Sequence, residues 1–162
     1  MADGRRAAVV TVSTSKAAGE GRDESGEALR ALAAQLGAEV VGSDLIADER
    51  GTIEDRLRRW ADEERVDLVL TSGGTGLSPT DVTPEATLAV IEREAPGIAE
   101  AMRSASREHT PNWMLSRAVA GARGSTLIIN FPGNPRSIRQ TGDALAAALV
   151  HALALLAGEH PH

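Results

Sequence analysis

Residues 71–86 read Thr-Ser-Gly-Gly-Thr-Gly-Leu-Ser-Pro-Thr-Asp-Val-Thr-Pro-Glu-Ala. Gly73, Gly74 and Gly76, interleaved with Ser72 and Thr75, let backbone N–H groups approach a phosphate with no Cβ in the way. One acid, Asp81, follows them, and a lone carboxylate beside an anion cradle suits a divalent cation carried by a nucleotide. The pattern is neither a Walker loop, which needs Gly-Lys-Ser/Thr, nor the Gly-x-Gly-x-x-Gly dinucleotide fingerprint. Taken alone, the segment fits both phosphate handling and a purely structural strand-to-helix turn.

Three other segments add chemistry. Ser-Asp-Leu-Ile-Ala-Asp-Glu-Arg carries Asp44, Asp48 and Glu49. Acids at a strand end are commonly just solvated, but Asp48 lies past the expected strand, where it can face Asp81. Such a pair would hold Mg²⁺, which in turn holds a triphosphate; without an ion the two carboxylates would repel phosphate. Ser13-Thr14-Ser15-Lys16 supplies hydroxyls and an ammonium, and Ser13 and Thr14 are read as ligand contacts. In Phe131-Pro132-Gly133-Asn134-Pro135-Arg136-Ser137, Asn134 reads as a helix N-cap with Pro135 at the first helical position. The free N–H groups there form an anion seat, and Arg136 can add a charge-assisted contact. Capping alone also explains Asn134 and Pro135. The four histidines show no metal-ligand spacing. Trp60 and Trp113 read as packing residues, and Ser116 and Arg117 carry no signal by themselves.

These segments must be positioned by a scaffold. The continuous apolar run Ala7–Val12 suits a strand buried on both faces of a parallel sheet, and Glu39–Ile46, Val66–Thr71 and Ser125–Phe131 are further predicted strands. Helices are predicted from Ser25, read as an N-cap, to a stop at Gly37, and over Thr52–Glu63, Pro84–Glu94 (capped by Thr83), Gly97–Ser106, Trp113–Ala120 and Pro135–Ala157. The alternation implies β-α-β units in a three-layer α/β/α domain with a mostly parallel central sheet, one domain spanning residues 1–162. In such sheets ligands bind beyond the carboxyl ends of the strands. All four polar loops would then open on one cleft. The tail 158–162 is expected to fray.

Composition narrows the function classes. A chain of 162 residues with a formal charge of −6 and no cationic run is not built for nucleic acid, and its scarce aromatics offer no stacking platform. With no cysteine, disulfides, thiolate metal sites and thiol nucleophiles are excluded. Ala7–Val12 is too short for a signal peptide core, and Leu145–Ala157 falls short of the roughly 20 residues of a membrane span. A cytoplasmic protein is expected.

Taken in order, Thr-Val-Ser-Thr-Ser with Asp-Glu-Ser-Gly, Leu-Ile-Ala-Asp-Glu, Thr-Ser-Gly-Gly-Thr-Gly, Asp-Val-Thr-Pro-Glu-Ala, Met-Leu-Ser-Arg-Ala-Val-Ala-Gly and Leu-Ile-Ile-Asn-Phe-Pro-Gly-Asn-Pro cover nearly the whole chain. In this the sequence resembles the MogA/MoaB family of molybdenum-cofactor biosynthesis, which includes the plant Cnx G and gephyrin G domains. The resemblance implies an enzyme, usually a trimer, that transfers AMP from Mg-ATP to the terminal phosphate of molybdopterin, releases pyrophosphate, and hands its product to a molybdate insertase. It implies that Asp48 and Asp81 are the functional aspartates and that Gly73–Gly76 hold the nucleotide. Ser116, Pro132, Gly133 and Asn134 would lie near the pterin or its phosphate. There is one departure: Thr80 stands where many relatives carry an arginine, which leaves Lys16 or Arg136 to compensate and a non-catalytic pterin-binding paralogue as the alternative.

Overall fold

In a computed structural model describing residues 4–160, the first, third and fourth of these runs become strands buried on both faces, while Glu39–Ile46 becomes an edge strand exposed or half-exposed over most of its length. The chain runs β1 (Arg6–Val12), α1 (Thr14–Ala17), α2 (Glu24–Gln35), β2 (Glu39–Ile46), α3 (Arg50–Arg58) and β3 (Leu68–Ser72). It continues through α4 (Thr83–Val90), β4 (Arg93–Glu94), α5 (Pro96–Ser106), β5 (Ala120–Arg123), β6 (Thr126–Phe131) and α6 (Pro135–Leu156). A π-helical turn, Arg59–Glu63, extends α3. Residues 1–3 of the basic amino-terminal stretch and residues 161–162, including His162 and the end of the tail expected to fray, lie outside the described residues.

The strand order is β2-β1-β3-β6-β5-β4. The first four are parallel; β5 runs antiparallel to β6 and β4 antiparallel to β5. Side chains alternate between two cores, as the period of two along a strand requires. Ala7 and Val9 pack with Leu29, Met102, Ile138 and Leu149 from the layer of α2, α5 and α6. Ala8, Val10 and Val12 pack with Ile53, Leu57, Trp60 and Val90 from the layer of α3 and α4. The expected three-layer, mostly parallel architecture is therefore what the residues build. No helix among the described residues is long and apolar enough to cross a membrane.

Register fixes the functional edge. Val12 pairs with Ile46, Thr11 with Ser72, and Ser72 with Phe131. The last residues of the four parallel strands thus stand side by side, and the loops that follow them leave from one edge.

Several boundaries differ from expectation, each for a local reason. Asp23, not Ser25, caps α2: its carboxylate accepts from Gly26 N at 2.9 Å and from Thr11 Oγ1 at 3.0 Å. A Cβ on Gly26 would collide with that carboxylate, so glycine is required beside it. Thr83 is the first residue of α4 rather than its cap, which falls to Val82. The helix ends at Val90, short of Glu94, because Glu92 N and Ala95 N donate to the carbonyls of Ala122 and Ala120. The helix expected over Trp113–Ala120 is a single 3₁₀ turn, Trp113–Leu115, followed by extended chain. Its amides bond elsewhere: Arg117 N to Thr75 O at 2.8 Å, and Val119 N to Asn130 Oδ1 at 3.1 Å. The loop after β1 also holds one helical turn, α1, capped by the Ser13 side chain.

Candidate functional site

The edge carries two glycine turns in contact. Gly73 follows β3 with φ of +91°, and a Cβ there would strike the carbonyl oxygen of Val12. The backbone is therefore pressed against the end of β1 in a conformation only glycine adopts freely. Gly73 N donates to Phe131 O at 3.0 Å, and the Cβ position of Gly133 lies 3.6 Å from Gly73 Cα. Ser25 Oγ reaches across from α2 to donate to Gly133 O at 2.5 Å.

Both aspartates lie against the first turn. Asp48 sits two residues past β2, where Thr14 of α1 holds it. Thr14 N and Thr14 Oγ1 both donate to Asp48 Oδ2, at 3.1 and 2.9 Å, and Asp48 N donates back to Thr14 Oγ1 at 3.1 Å. The other oxygen, Oδ1, lies 3.1 Å from the Cβ position of Gly74. The Thr83 hydroxyl lies beside that same position, buried and without a hydrogen-bond partner among the described residues. Asp81 accepts from Ser78 N through Oδ2 at 3.0 Å, and that oxygen stands 2.8 Å from the Cβ position of Gly76. Two carboxylates from distant parts of the sequence thus flank one turn, at Gly74 and Gly76. Asp44 has another duty: it accepts from Trp60 Nε1 at 2.6 Å and pairs with Arg56 at 3.2 Å, a structural tie.

The remaining expected residues fall around this centre. Ser13 caps α1, Ser72 is fully buried at the end of β3 with its hydroxyl unpartnered, and Thr75 is buried. Pro132 and Ser116 line a small cavity of about 100 Å³ with Trp113 and Ser137, and Ser116 O accepts from Arg103. Asn134 caps α6, its side chain accepting from Arg136 N at 2.9 Å. Arg136 itself lines a cleft of about 480 Å³ between α2 and α6, opposite Glu24 and Glu27. The Lys16 ammonium lies over Gly21 of its own loop. Thr80 is exposed, its hydroxyl 3.1 Å from that of Ser78.

One residue without a signal of its own in the sequence turns out to be central. Arg117 Nε donates to Gly76 O at 2.7 Å, Nη2 to Asp81 O at 2.9 Å and Nη1 to Glu85 Oε2 at 2.6 Å. That last bond is the main reason the Glu85 carboxyl titrates below the ordinary glutamate value, with burial pulling the other way. Only the tertiary path of the chain after Leu115 could have revealed this clamp.

All four edge loops fall within residues 8–152, which match the model of a family described as "Probable molybdopterin binding domain". The chain belongs to that family. A relative named molybdopterin adenylyltransferase, from Helicobacter pylori strain J99, is 38% identical over 154 residues, 94% of this chain and 88% of that one. The protein of that name from Escherichia coli K12 is 47% identical over 113 residues, 67% of this chain and 58% of that one. The crystal structure of the molybdopterin biosynthesis enzyme MoaB from Thermus thermophilus superimposes with a TM-score of 0.88 at 46% identity, over 95% of this chain and 97% of that chain. The chain therefore shares its fold with that solved structure over nearly its whole length.

Proposed function

We propose that residues 1–162 act as a single-domain molybdopterin adenylyltransferase, a nucleotidyltransferase that moves AMP from ATP to the terminal phosphate of molybdopterin and releases pyrophosphate. The observation that carries this reading is the convergence of Asp48 and Asp81 on one glycine turn, against which a second glycine turn is packed. Relatives at 38% and 47% identity bear the corresponding name.

The donor set suits Mg²⁺. Asp48 Oδ1, Asp81 and the unpartnered Thr83 hydroxyl are hard oxygen donors beside the same loop. Among the described residues no group of three or more His, Cys, Asp or Glu gathers to hold an ion by itself. A metal arriving on a nucleotide would take its other ligands from the phosphates. When bound, the ion would neutralise phosphate charge and polarise the α-phosphorus.

The chain's own residues supply the positioning. Gly73 N is bound to Phe131 O and holds the turn in place, which leaves the backbone N–H groups of Gly74–Gly76 for the nucleotide phosphates, with Ser72 and Thr75 packed beneath. Ser13 and Thr14 flank the turn from the other side, and Thr14 keeps Asp48 Oδ1 turned inward. The capped start of α6, with Asn134, Pro132, Gly133 and Arg136, receives the pterin phosphate, and Ser116 borders it. The pterin phosphate oxygen then attacks the α-phosphorus in line, one P–O bond forming as the bond to pyrophosphate breaks. A homotrimer, delivery to a molybdate insertase and a cytoplasmic setting complete the reading.

Incubation with molybdopterin and ATP labelled on the α-phosphate tests it. The expected result is pyrophosphate release with label transferred to the pterin. Pterin binding with no pyrophosphate released would overturn it in favour of a carrier without turnover.

A further inference from the structure

We propose that Arg117 is the positioning residue of the nucleotide half of the site, acting through the backbone of the glycine turn and not by touching phosphate. The inference rests on the adenylyltransferase reading only in taking Mg-ATP as the ligand of that turn. Arg117 makes four bonds to the segment 75–85: its own N–H to Thr75 O, Nε to Gly76 O, Nη2 to Asp81 O, and Nη1 to Glu85 Oε2. These anchors bracket the residues that matter. Thr75 and Gly76 are the end of the cradle, Asp81 is one of the two acids, and Glu85 lies in the first turn of α4.

The geometry assigns the guanidinium to the protein. Its donors face two backbone carbonyls and a carboxylate, from two sides of the turn, and the salt bridge to Glu85 balances its charge. A planar five-donor fork can span such partners at once; an ammonium on a flexible stem cannot. Arg117 pins the carbonyl of Asp81 from one side while Ser78 N donates to its carboxylate, so Arg117 helps fix the acid relative to Gly76 without itself touching the side chain. Exposed Thr80, next to Asp81, contributes nothing comparable. The pterin half of the edge, at Gly133 and Asn134, is held by other means: Ser25 Oγ on Gly133 O, and the Asn134 cap.

Arg117→Lys separates fork from charge. Calorimetric titration of the whole chain with Mg-ATP and, separately, with molybdopterin gives the two affinities. We expect R117K to weaken Mg-ATP binding by about ten-fold, since a displaced positioning group commonly costs one to two decades. Molybdopterin affinity should stay within about two-fold. Unchanged Mg-ATP affinity, or equal weakening for both ligands, would overturn the assignment and leave Arg117 a general stabiliser. If R117K melts below the assay temperature, Glu85→Ala carries the same comparison, because it removes one arm and leaves the carbonyl bonds. Mg-ATP affinity should then fall by about two- to three-fold with the pterin unaffected, and equal constants would refute the proposal. A wild-type chain that binds Mg-ATP but releases no pyrophosphate would sink the adenylyltransferase reading and leave this comparison standing. A wild-type chain that does not bind Mg-ATP would sink both.

Discussion

Asp48 and Asp81 flank the same glycine turn, yet they are held in opposite ways. Asp48 is gripped from outside its own segment, by a side chain and an amide of Thr14, both on Oδ2. Asp81 is held from within, by Ser78 N on its carboxylate and by its own N–H on Ser78 O at 2.9 Å. The external grip on Asp81 falls on its backbone carbonyl, through Arg117. One acid is aimed by a side chain on its carboxylate, the other by the chain path around it. The first arrangement fixes a rotamer directly; the second fixes it only as well as the turn is fixed.

The largest effect should follow from removing either charge while leaving its support. In Asp48→Asn the amide oxygen can take the place of Oδ2 and keep both bonds from Thr14, and in Asp81→Asn it can keep the bond from Ser78 N. Each variant then presents an NH₂ group or an uncharged oxygen where an anion is needed. Both should lose pyrophosphate release by on the order of a hundred-fold or more, with melting temperatures near that of the wild type. If either variant retained full activity, that acid would have no part in the site and the contrast between the two would be purely structural.

How much of this was legible in the sequence follows the same divide between local and tertiary causes. The parallel half of the sheet was readable because Ala7–Val12, Val66–Thr71 and Ser125–Phe131 are apolar on both faces, a property of the residues themselves. The antiparallel corner was not. Ala120–Arg123 reads Ala-Gly-Ala-Arg, without a β-branched residue, and becomes a strand because its carbonyls and those of its neighbours meet β4 and β6. Gly121 is needed where Arg93 O approaches within 2.5 Å of its Cβ position. In the site, Asp48, Asp81 and the glycines stood out by type and spacing. The Asp23 cap was hidden because Ser25 competes for the same role by propensity. Arg117 was hidden because its partners are mostly backbone carbonyls, which have no letter in a sequence.

The next test separates the two kinds of support. Thr14→Val keeps the shape of the residue but removes the hydroxyl that bonds Asp48 in both directions. If Asp48 holds the ion as proposed, activity should fall by about ten- to a hundred-fold, the usual cost of losing an outer partner of a metal-binding carboxylate, and Thr14→Ser should restore most of it. Steady-state rates in the three proteins decide the point. A silent T14V would mean that the amide of Thr14 holds Asp48 alone.

A smaller effect reports on the Asp81 side through pH. The Glu85 carboxyl is held below its ordinary value, chiefly by the bond from Arg117. A lowered folded value contributes stability that is fully present above the unfolded glutamate value, about 4.3, and is lost as pH falls through the folded value. The melting temperature should therefore decline in that acid window, and Glu85→Gln should flatten the decline. The side chains of Arg117 and Glu85 remain 33% and 39% exposed, so solvent screening keeps the step modest. An identical acid profile in E85Q would detach the ion pair from stability.

The smallest effect belongs to Ser78, and it is the most direct test of the contrast. Ser78 and Thr14 both donate to a site aspartate, yet Ser78 does so through its main-chain N–H. Among the described residues its hydroxyl bonds only to Thr80, through Oγ1 at 3.1 Å and N at 3.4 Å, on an exposed stretch of the loop. Ser78→Ala leaves the amide in place and removes only those exposed contacts, whose loss commonly amounts to less than about 0.5 kcal/mol. Its rate should stay within about two-fold of the wild type under conditions where T14V is clearly impaired. A loss in S78A as large as that in T14V would mean that the 78–81 turn depends on its own hydroxyls rather than on Arg117, and the two aspartates would then be held alike, each by a neighbouring side chain.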